Sequence, residues 1–331
     1  MNIRTMDARD LPGVMALWNG SVARGEVVYY PLDEAYFRKK FLDSPNYAQD
    51  LSLVAEDGGV VLGFLNAIAQ KQFLQKETNE NTPGYLTCFF VRPDHRGQGI
   101  GRALVQEAEA RLKALGKSML SMSGGNPVKL DWTIPGTPGH DHNNAPGCDM
   151  DSPGFLFLTR LGFDNRHEEI AMYLDLSQYR QPAGVLEKRA RLQSEGISIG
   201  RYDTRLGYEF DGMCDRVGSE YWRKVLQDET AKAEPRVILA ATVPGHIVAF
   251  TGPVDRQESG RGWFTGICTD PLYEGRGIAT VLFDFLMQEF IKKGASFSTL
   301  FTGADNHARK IYERAGFTVR RRFAVMEKPI N

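Results

Sequence analysis

The chain has 331 residues, 42% of them hydrophobic and 24% charged, with a formal net charge of −1. That length fits two domains, each able to bury its own core. The near-neutral balance argues against nucleic acid or an anionic membrane surface as a partner, and no apolar run approaches the roughly 20 residues of a membrane-spanning helix.

The N-terminal stretch MNIRTMDARDLPGVMALW lacks the shape of a secretory leader. IRTMDARD reads as strand and turn, and LPGVMALWNGSVA and LDEAYFRKKFLDS as helices. LSLVAE, the turn EDGG and VVLGFLNAIAQK form a hairpin pattern. YLTCFFV is a strand entering a Gly-rich phrase. IGRALVQEAEARLKAL then carries apolar residues at helical spacing, with Gly116 as its stop. KSMLSMS is a strand, FLFLTRLGF a short helix and HEEIAMYLDL a strand. PAGVLEKRARLQSEG reads as a charged linker helix, Pro182 suiting its first turn and Gly196 its end.

The second half repeats the order. ISIGRYDTR is a strand and EFDGMCDRVGSEYWRKVLQDETA is helical. VILAAT and IVAFTGPV form a hairpin, and GWFTGICT enters a second Gly phrase. IATVLFDFLMQEFIKKG is a helix, SFSTLFTG a strand and NHARKIYERAGF a short helix, and VRRRFAVMEK closes the unit. The expected division is therefore 1–178, a linker at 179–196, and 197–331. The four cysteines, Cys88, Cys148, Cys214 and Cys268, have no Cys-x-x-Cys spacing. They fit single buried thiols in a reducing, cytoplasmic setting.

The two Gly phrases are the most informative feature. Residues 91–102 read VRPDHRGQGIGR and residues 269–280 read TDPLYEGRGIAT, so that Gly97, Gly99 and Ile100 align with Gly275, Gly277 and Ile278, and Gly101 with Ala279. Strand, Gly-rich turn and helix N-terminus together present backbone N–H groups and a positive helix end, a shape that holds phosphate. Two copies in one local context point to a duplicated phosphate-binding unit.

The halves differ after Asn126. From Gly101 to Gly162 is 61 positions and from Ala279 to Gly316 is 37, which leaves about 24 extra residues in the first half, at 127–151. A loop of that length without periodicity is functional or disordered as a rule. Its Trp132, several prolines and polar cluster fit an ordered, partly packed loop. His140, Asp141, His142, Cys148, Asp149 and Asp151 are conceivable metal ligands. Polar loop residues bonding their own backbone are the commoner case, so no metal is expected, and a lid over the first acceptor pocket is the preferred role.

Order and motifs together resemble two tandem copies of the GCN5-related N-acetyltransferase (GNAT) family, in a two-domain layout similar to that of the mycothiol synthases; no residue here carries over the latter's substrate. The family's turn signature is Arg or Gln, two residues, Gly, one residue, then Gly or Ala. Arg96, Gly99 and Gly101 match it fully. The second copy has Gly277 and Ala279 but Glu274 in the first place. A second marker, an Asn after the fifth strand followed by Ala, Tyr and Gly-Phe, is met by Asn306, Ala308, Tyr312, Gly316 and Phe317. In the first half Asn126 and Gly162-Phe163 remain, with Leu158 where Tyr312 stands.

The resemblance implies two α/β domains, each a mixed, mostly antiparallel sheet flanked by helices. It also implies acetyl-CoA as co-substrate, its pyrophosphate held by the amides of Gln98, Gly99, Ile100, Gly101 and Arg102, and by those of Arg276, Gly277, Ile278, Ala279 and Thr280. Arg96 would add a charged contact, and Glu274 would face solvent. The pantetheine arm would lie along Phe89, Phe90 and Val91, and along Ile267, Cys268 and Thr269, as an added strand. An amide there would stabilise the oxyanion. Tyr312 is the expected proton donor to the departing thiolate, since a phenol near pKa 10 faces a thiol near 8.5. No carboxylate lies on YLTCFFV or GWFTGICT to serve as base; Glu220, Asp255 and Glu258 are candidates from elsewhere. The implied reaction is direct transfer to a primary amine of a small molecule or peptide by a monomer or homodimer. The alternative is a non-catalytic acyl-CoA-binding or regulatory protein.

Overall fold

A computed structural model describes residues 1–330. The first elements are β1 (Asn2–Thr5), α1 (Leu11–Ala23) and the short α2 (Glu34–Phe37), which runs into a π-helical turn at Arg38–Leu42. The hairpin β2 (Ser52–Asp57) and β3 (Val60–Ala69) turns at Gly58 and Gly59, both at positive φ. Then come β4 (Gly84–Val91), α3 (Ile100–Ala114) and β5 (Met119–Met122). The inserted loop holds three two-residue strands, β6 (Trp132–Thr133), β7 (Asp141–His142) and β8 (Cys148–Asp149), before α4 (Pro153–Arg160) and β9 (Asp164–Asp175).

The second half begins with α5 (Val185–Ser194), β10 (Ser198–Arg201), α6 (Asp211–Val217) and α7 (Glu220–Thr230). Next are β11 (Val237–Val243), β12 (His246–Arg256), β13 (Arg261–Trp263) and β14 (Ile267–Thr269). The chain ends with α8 (Ile278–Lys292), β15 (Phe297–Gly303), α9 (Arg309–Arg314) and β16 (Thr318–Pro329).

Contacts divide the chain into two compact units, residues 1–171 with 321–330, and residues 172–320. This differs from the expected division at 178 and 197. VRRRFAVMEK, expected to close the second half, supplies its later residues to the first unit. Met326 pairs with Met122 and Lys328 with Leu120, antiparallel, and the Lys328 ammonium meets Glu109 at 2.7 Å. The closing strand carries a continuous apolar run, Phe323, Ala324, Val325 and Met326, that suits a buried place in either sheet, so nothing local in the sequence tells the two apart.

In the first unit the strands run β1-β2-β3-β4-β5 and then the end of β16, antiparallel except for β4 with β5. On α3, Ile100, Leu104, Ala108 and Leu112 recur every four residues. All four are buried in a cluster with Leu53, Leu65, Leu86, Leu120 and Met326. In the second unit the order is the end of β9, then β15-β13-β12-β11-β10, with β14 also on β12. A second cluster there gathers Met213, Leu226, Ile238, Ile247 and Phe250.

Three local expectations change. The single helix expected over 209–231 breaks into α6 and α7, because Gly218 takes positive φ and the Ser219 hydroxyl caps α7 by accepting from Trp222 N–H. The strand GWFTGICT divides into β13 and β14. The linker helix starts at Val185 behind a left-handed Gly184, so Pro182 precedes it rather than lying in its first turn; Gly196, at φ +81°, does end it.

Candidate active site

Each unit contains the same three-part arrangement. In the first, β4 pairs with β3 along its whole length but with β5 only at Gly84–Leu120 and Tyr85–Ser121. In the second, β13 pairs with β15 only at Arg261–Phe297 and Gly262–Ser298. Beyond those points the parallel neighbours part and leave the later edge, which carries Phe89, Phe90 and Val91 or Ile267, Cys268 and Thr269, without a strand partner on that side. The turn then follows at the end of the freed edge.

Gly97 and Gly99 take φ of +77° and +86°, and Gly275 and Gly277 +73° and +86°. Glycine is required here by backbone conformation. At Gly97, Gly99 and Gly275 an added Cβ would meet nothing within 4 Å. Gly101 is different: its Cβ would lie 2.9 Å from the Phe157 ring, so that glycine serves helix packing. The N–H groups of Gln98 to Arg102, and of Arg276 to Thr280, donate to no acceptor among the described residues. Five free amides at the N-terminus of a fifteen-residue helix can hold a diphosphate.

The charged residues of the turns depart from expectation. Arg96 is engaged: its guanidinium donates to both carboxylate oxygens of Glu26 at 2.8 and 2.7 Å, and to the Val91 carbonyl at 3.1 Å. It ties the segment after α1 to the turn. Arg96, and then Arg24, hold the Glu26 carboxyl down at about 2. In the second unit the same tie exists with the charges exchanged. Asp270, 1% exposed, lies at the start of the turn. It accepts from Arg216 at 2.9 and 2.5 Å and from Leu272 N–H at 3.0 Å. With Asp270 and Arg216 making the tie, an arginine at position 274 is dispensable, and Glu274 is exposed, as expected.

Asn126 and Asn306 shape backbone. Asn126 donates to the Thr87 hydroxyl at 3.1 Å and accepts from Val128 N–H, and Asn306 accepts from Ala308 N–H ahead of α9. Tyr312 on α9 is 6% exposed, its ring against Phe283 and Phe317 with centroids 5.0 and 6.4 Å away. Burial pushes its phenol up to about 12, and its hydroxyl has no protein partner among the described residues. Leu158 in the first unit is fully buried core. Of the candidate bases, Glu220 bonds Arg223 at 3.0 Å, Asp255 pairs with Arg236 at 3.3 Å, and Glu258 is exposed.

The inserted loop is packed down onto the segment after α1. Trp132 is fully buried. It donates to the Asn144 carbonyl, stacks on His142 at 5.8 Å and meets Phe323 edge-on at 5.2 Å. Tyr30 and Thr133 N–H bond across to Asp131 and Val28, and Asp131 pairs with Lys40 at 2.8 Å. Asp149 and Asp151 both face Arg321. Among the described residues no three His, Cys, Asp or Glu side chains converge as metal ligands. Beneath the loop a small, partly open pocket of about 10 Å³ has Tyr29, Thr87, Ser123 and Asn126 in its wall. A larger cleft of about 790 Å³ lies between α1, the β2–β3 hairpin and Arg92-Pro93, and excludes the turn itself.

No protein of curated function matches the sequence. Several solved structures share its fold. One is a GCN5-related glucosamine N-acetyltransferase region of a fungal multi-domain GH3 β-N-acetylglucosaminidase (17% identity, TM-score 0.69). The match covers 99% of this chain and 38% of that one, so this chain spans well under half of that protein. Another is a GCN5-related N-acetyltransferase from Sphaerobacter thermophilus (18%, 0.64; 100% and 96% covered). A third is a tandem GNAT protein from the clavulanic acid biosynthesis pathway (15%, 0.59; 100% and 98%). At these identities the likeness is one of fold. The family model for GNAT acetyltransferases matches twice, over residues 20–127 and 207–317, and each match contains one of the two turns. The chain belongs to the acetyltransferase (GNAT) family, as a tandem of two copies.

Proposed function

We propose that this protein transfers an acetyl group from acetyl-CoA to a primary amine of a small molecule or peptide, by direct attack of the amine on the thioester. The observation that carries this reading is the pairing, in each unit, of a freed strand edge with five unbonded amides at its end. The amides neutralise the diphosphate, and the edge takes the pantetheine arm by strand-like hydrogen bonds. An edge N–H aimed at the thioester oxygen stabilises the tetrahedral oxyanion.

Tyr312 is the proton donor to the leaving thiolate in this reading. Its elevated pKa keeps the phenol protonated at neutral pH, and its hydroxyl is uncommitted. A covalent acyl-cysteine is disfavoured, because burial pushes all four thiols upward, away from the reactive thiolate. Four unpaired thiols also suit a cytoplasmic setting. Among the described residues no helix is long and apolar enough to cross a membrane.

The first unit supports a second reading, that of a CoA-binding module without turnover. Leu158 cannot donate a proton, and the packed loop lines only a small pocket against Leu86, Thr87, Met122 and Ser123. Calorimetric titration of the full chain with acetyl-CoA tests binding. A screen of amines that follows release of the CoA thiol tests transfer. No heat at millimolar acetyl-CoA would remove both readings.

A further inference from the structure

The two turns differ in what lies over them. At Gly99 the space above the backbone is open. At the matching Gly277 an added Cβ would lie 3.2 Å from Cδ and 3.7 Å from Cε of Lys188, on α5. One turn later on that helix, Arg191 donates to the carbonyl of Arg276, inside the Gly phrase, at 2.5 Å. Arg276 stacks on Tyr273 at 5.3 Å. Residues 188 and 191 are three apart on α5 and share a face, so the linker helix presents two cations to this turn.

Their charge is poorly balanced. Lys188 makes no ion pair among the described residues, although it is half-buried. Arg191 and Arg276 share one carboxylate, Glu195, at 3.5 and 3.9 Å. Three cations thus gather at the positive end of α8 with one anion between two of them. Like charge at that end of a helix is unfavourable unless an anion joins it. The first turn has no counterpart, since its own arginine is neutralised by Glu26.

The geometry points to Lys188 as a diphosphate-binding residue of the second turn, carried there with Arg191 by the linker helix. This rests on the reading that the turns bind CoA. The occupant's recognised chemistry is a diphosphate ester. The stem of Lys188 lies along Gly277 and its ammonium rests beside Gly184, one turn back on α5; swinging about that stem, the ammonium reaches an anion held by the free amides, so the linker is part of the second site as well as a tether.

The test uses the full chain. Gly99→Asp introduces a carboxylate into open space at the first turn, at a left-handed position that Asp tolerates comparatively well, and leaves the second turn to report alone. In that background Lys188→Met keeps the stem and removes the charge, and Lys188→Arg restores it. Calorimetry with CoA and with pantetheine, which lacks the phosphates, reads the outcome. Lys188→Met is expected to weaken CoA binding by about tenfold or more, the scale of one charge-assisted contact. Lys188→Arg should recover most of the loss, and pantetheine binding should stay unchanged. Three results would overturn the inference: unchanged CoA affinity in Lys188→Met, tighter CoA binding, which would make the Lys188 stem an obstruction, or no CoA binding once the first turn is disabled. Absence of CoA binding by the unmodified chain is a separate outcome and removes the CoA reading itself.

Discussion

Arg96 and Glu26 form a two-pronged ion pair that fastens the segment after α1 to the first Gly-rich turn. The pair is partly buried, with 38% and 18% of the two side chains exposed. It sets the position of the turn whose amides are proposed to meet phosphate. The Glu26 carboxyl is held at about 2, below its ordinary 4.5, by Arg96 and then Arg24. A depressed carboxylate contributes stability that is present above the unfolded pKa and fades as pH falls from about 4.5 towards 2.

Glu26→Gln should therefore cost about 1 kcal/mol at pH 7, the magnitude discounted for solvent screening at this half-open site. The difference from the unmodified protein should shrink steadily below pH 4.5 and vanish near pH 2. Urea unfolding at pH 7, 4 and 3 measures it. A gap that stays constant across that range would mean that Glu26 acts through packing and not charge.

The second unit makes the same tie with its charges exchanged, so Asp270→Asn is the matching experiment. The amide still accepts from Leu272 N–H but no longer balances Arg216, which keeps 43% of its surface in water and can rehydrate. The expected cost is about 1–2 kcal/mol. CoA affinity at the second turn should fall while the first turn is untouched. Loss at both turns would show that the two sites are coupled.

These ties also mark how far the residues alone could be read. The order of strands and helices, both turns and the free amides were legible because glycine spacing and apolar periodicity are local signals. The counter-charges were not. Glu26 lies 70 positions from Arg96, and Asp270 lies 54 from Arg216. Read without those partners, Arg96 looked free for phosphate, and the tie that stands in for it in the second unit was invisible. The destination of β16 was hidden for a similar reason: Phe323, Ala324 and Met326 are buried residues of a strand pattern that any sheet edge would accept. The packed loop carried one usable signal, the alternation of Val128, Leu130, Trp132 and Ile134, all four of which are buried.

That tryptophan supports a third prediction. Trp132 is fully buried, its ring packs on His142 and Phe323, and its indole N–H is bonded to the Asn144 carbonyl. Trp132→Ala leaves a large void and an unsatisfied carbonyl, at a cost of about 3–5 kcal/mol. Thermal unfolding should show a lower transition for the first unit. Proteolysis should cut first within 127–151, the segment the ring anchors. A variant as stable and as protease-resistant as the unmodified protein would mean that the loop holds its place by its backbone bonds to Val28 and Tyr30 alone.

The last prediction locates turnover. Tyr312 stands on α9 with its ring fixed by Phe283 and Phe317 and its hydroxyl free of protein partners among the described residues; its counterpart Leu158 is core. Burial raises the phenol to about 12, which favours the neutral, donating form throughout the working range. The kcat profile should therefore show no limb near pH 10 from ionisation of this group. Tyr312→Phe removes one oxygen and leaves the ring packing intact, so acetyl-CoA affinity should be unchanged while kcat falls by roughly 10²–10⁴, the scale of a lost general acid. Such a split marks an interaction made in the transition state and not in the ground state. Leu158→Ala, by contrast, should lower stability by about 2–5 kcal/mol through the cavity it opens, with no direct effect on chemistry in the second unit. Once an acceptor is in hand, the deciding quantity is kcat for Tyr312→Phe. A value within twofold of the unmodified protein would remove Tyr312 from the chemistry and move turnover to the first unit or to another donor.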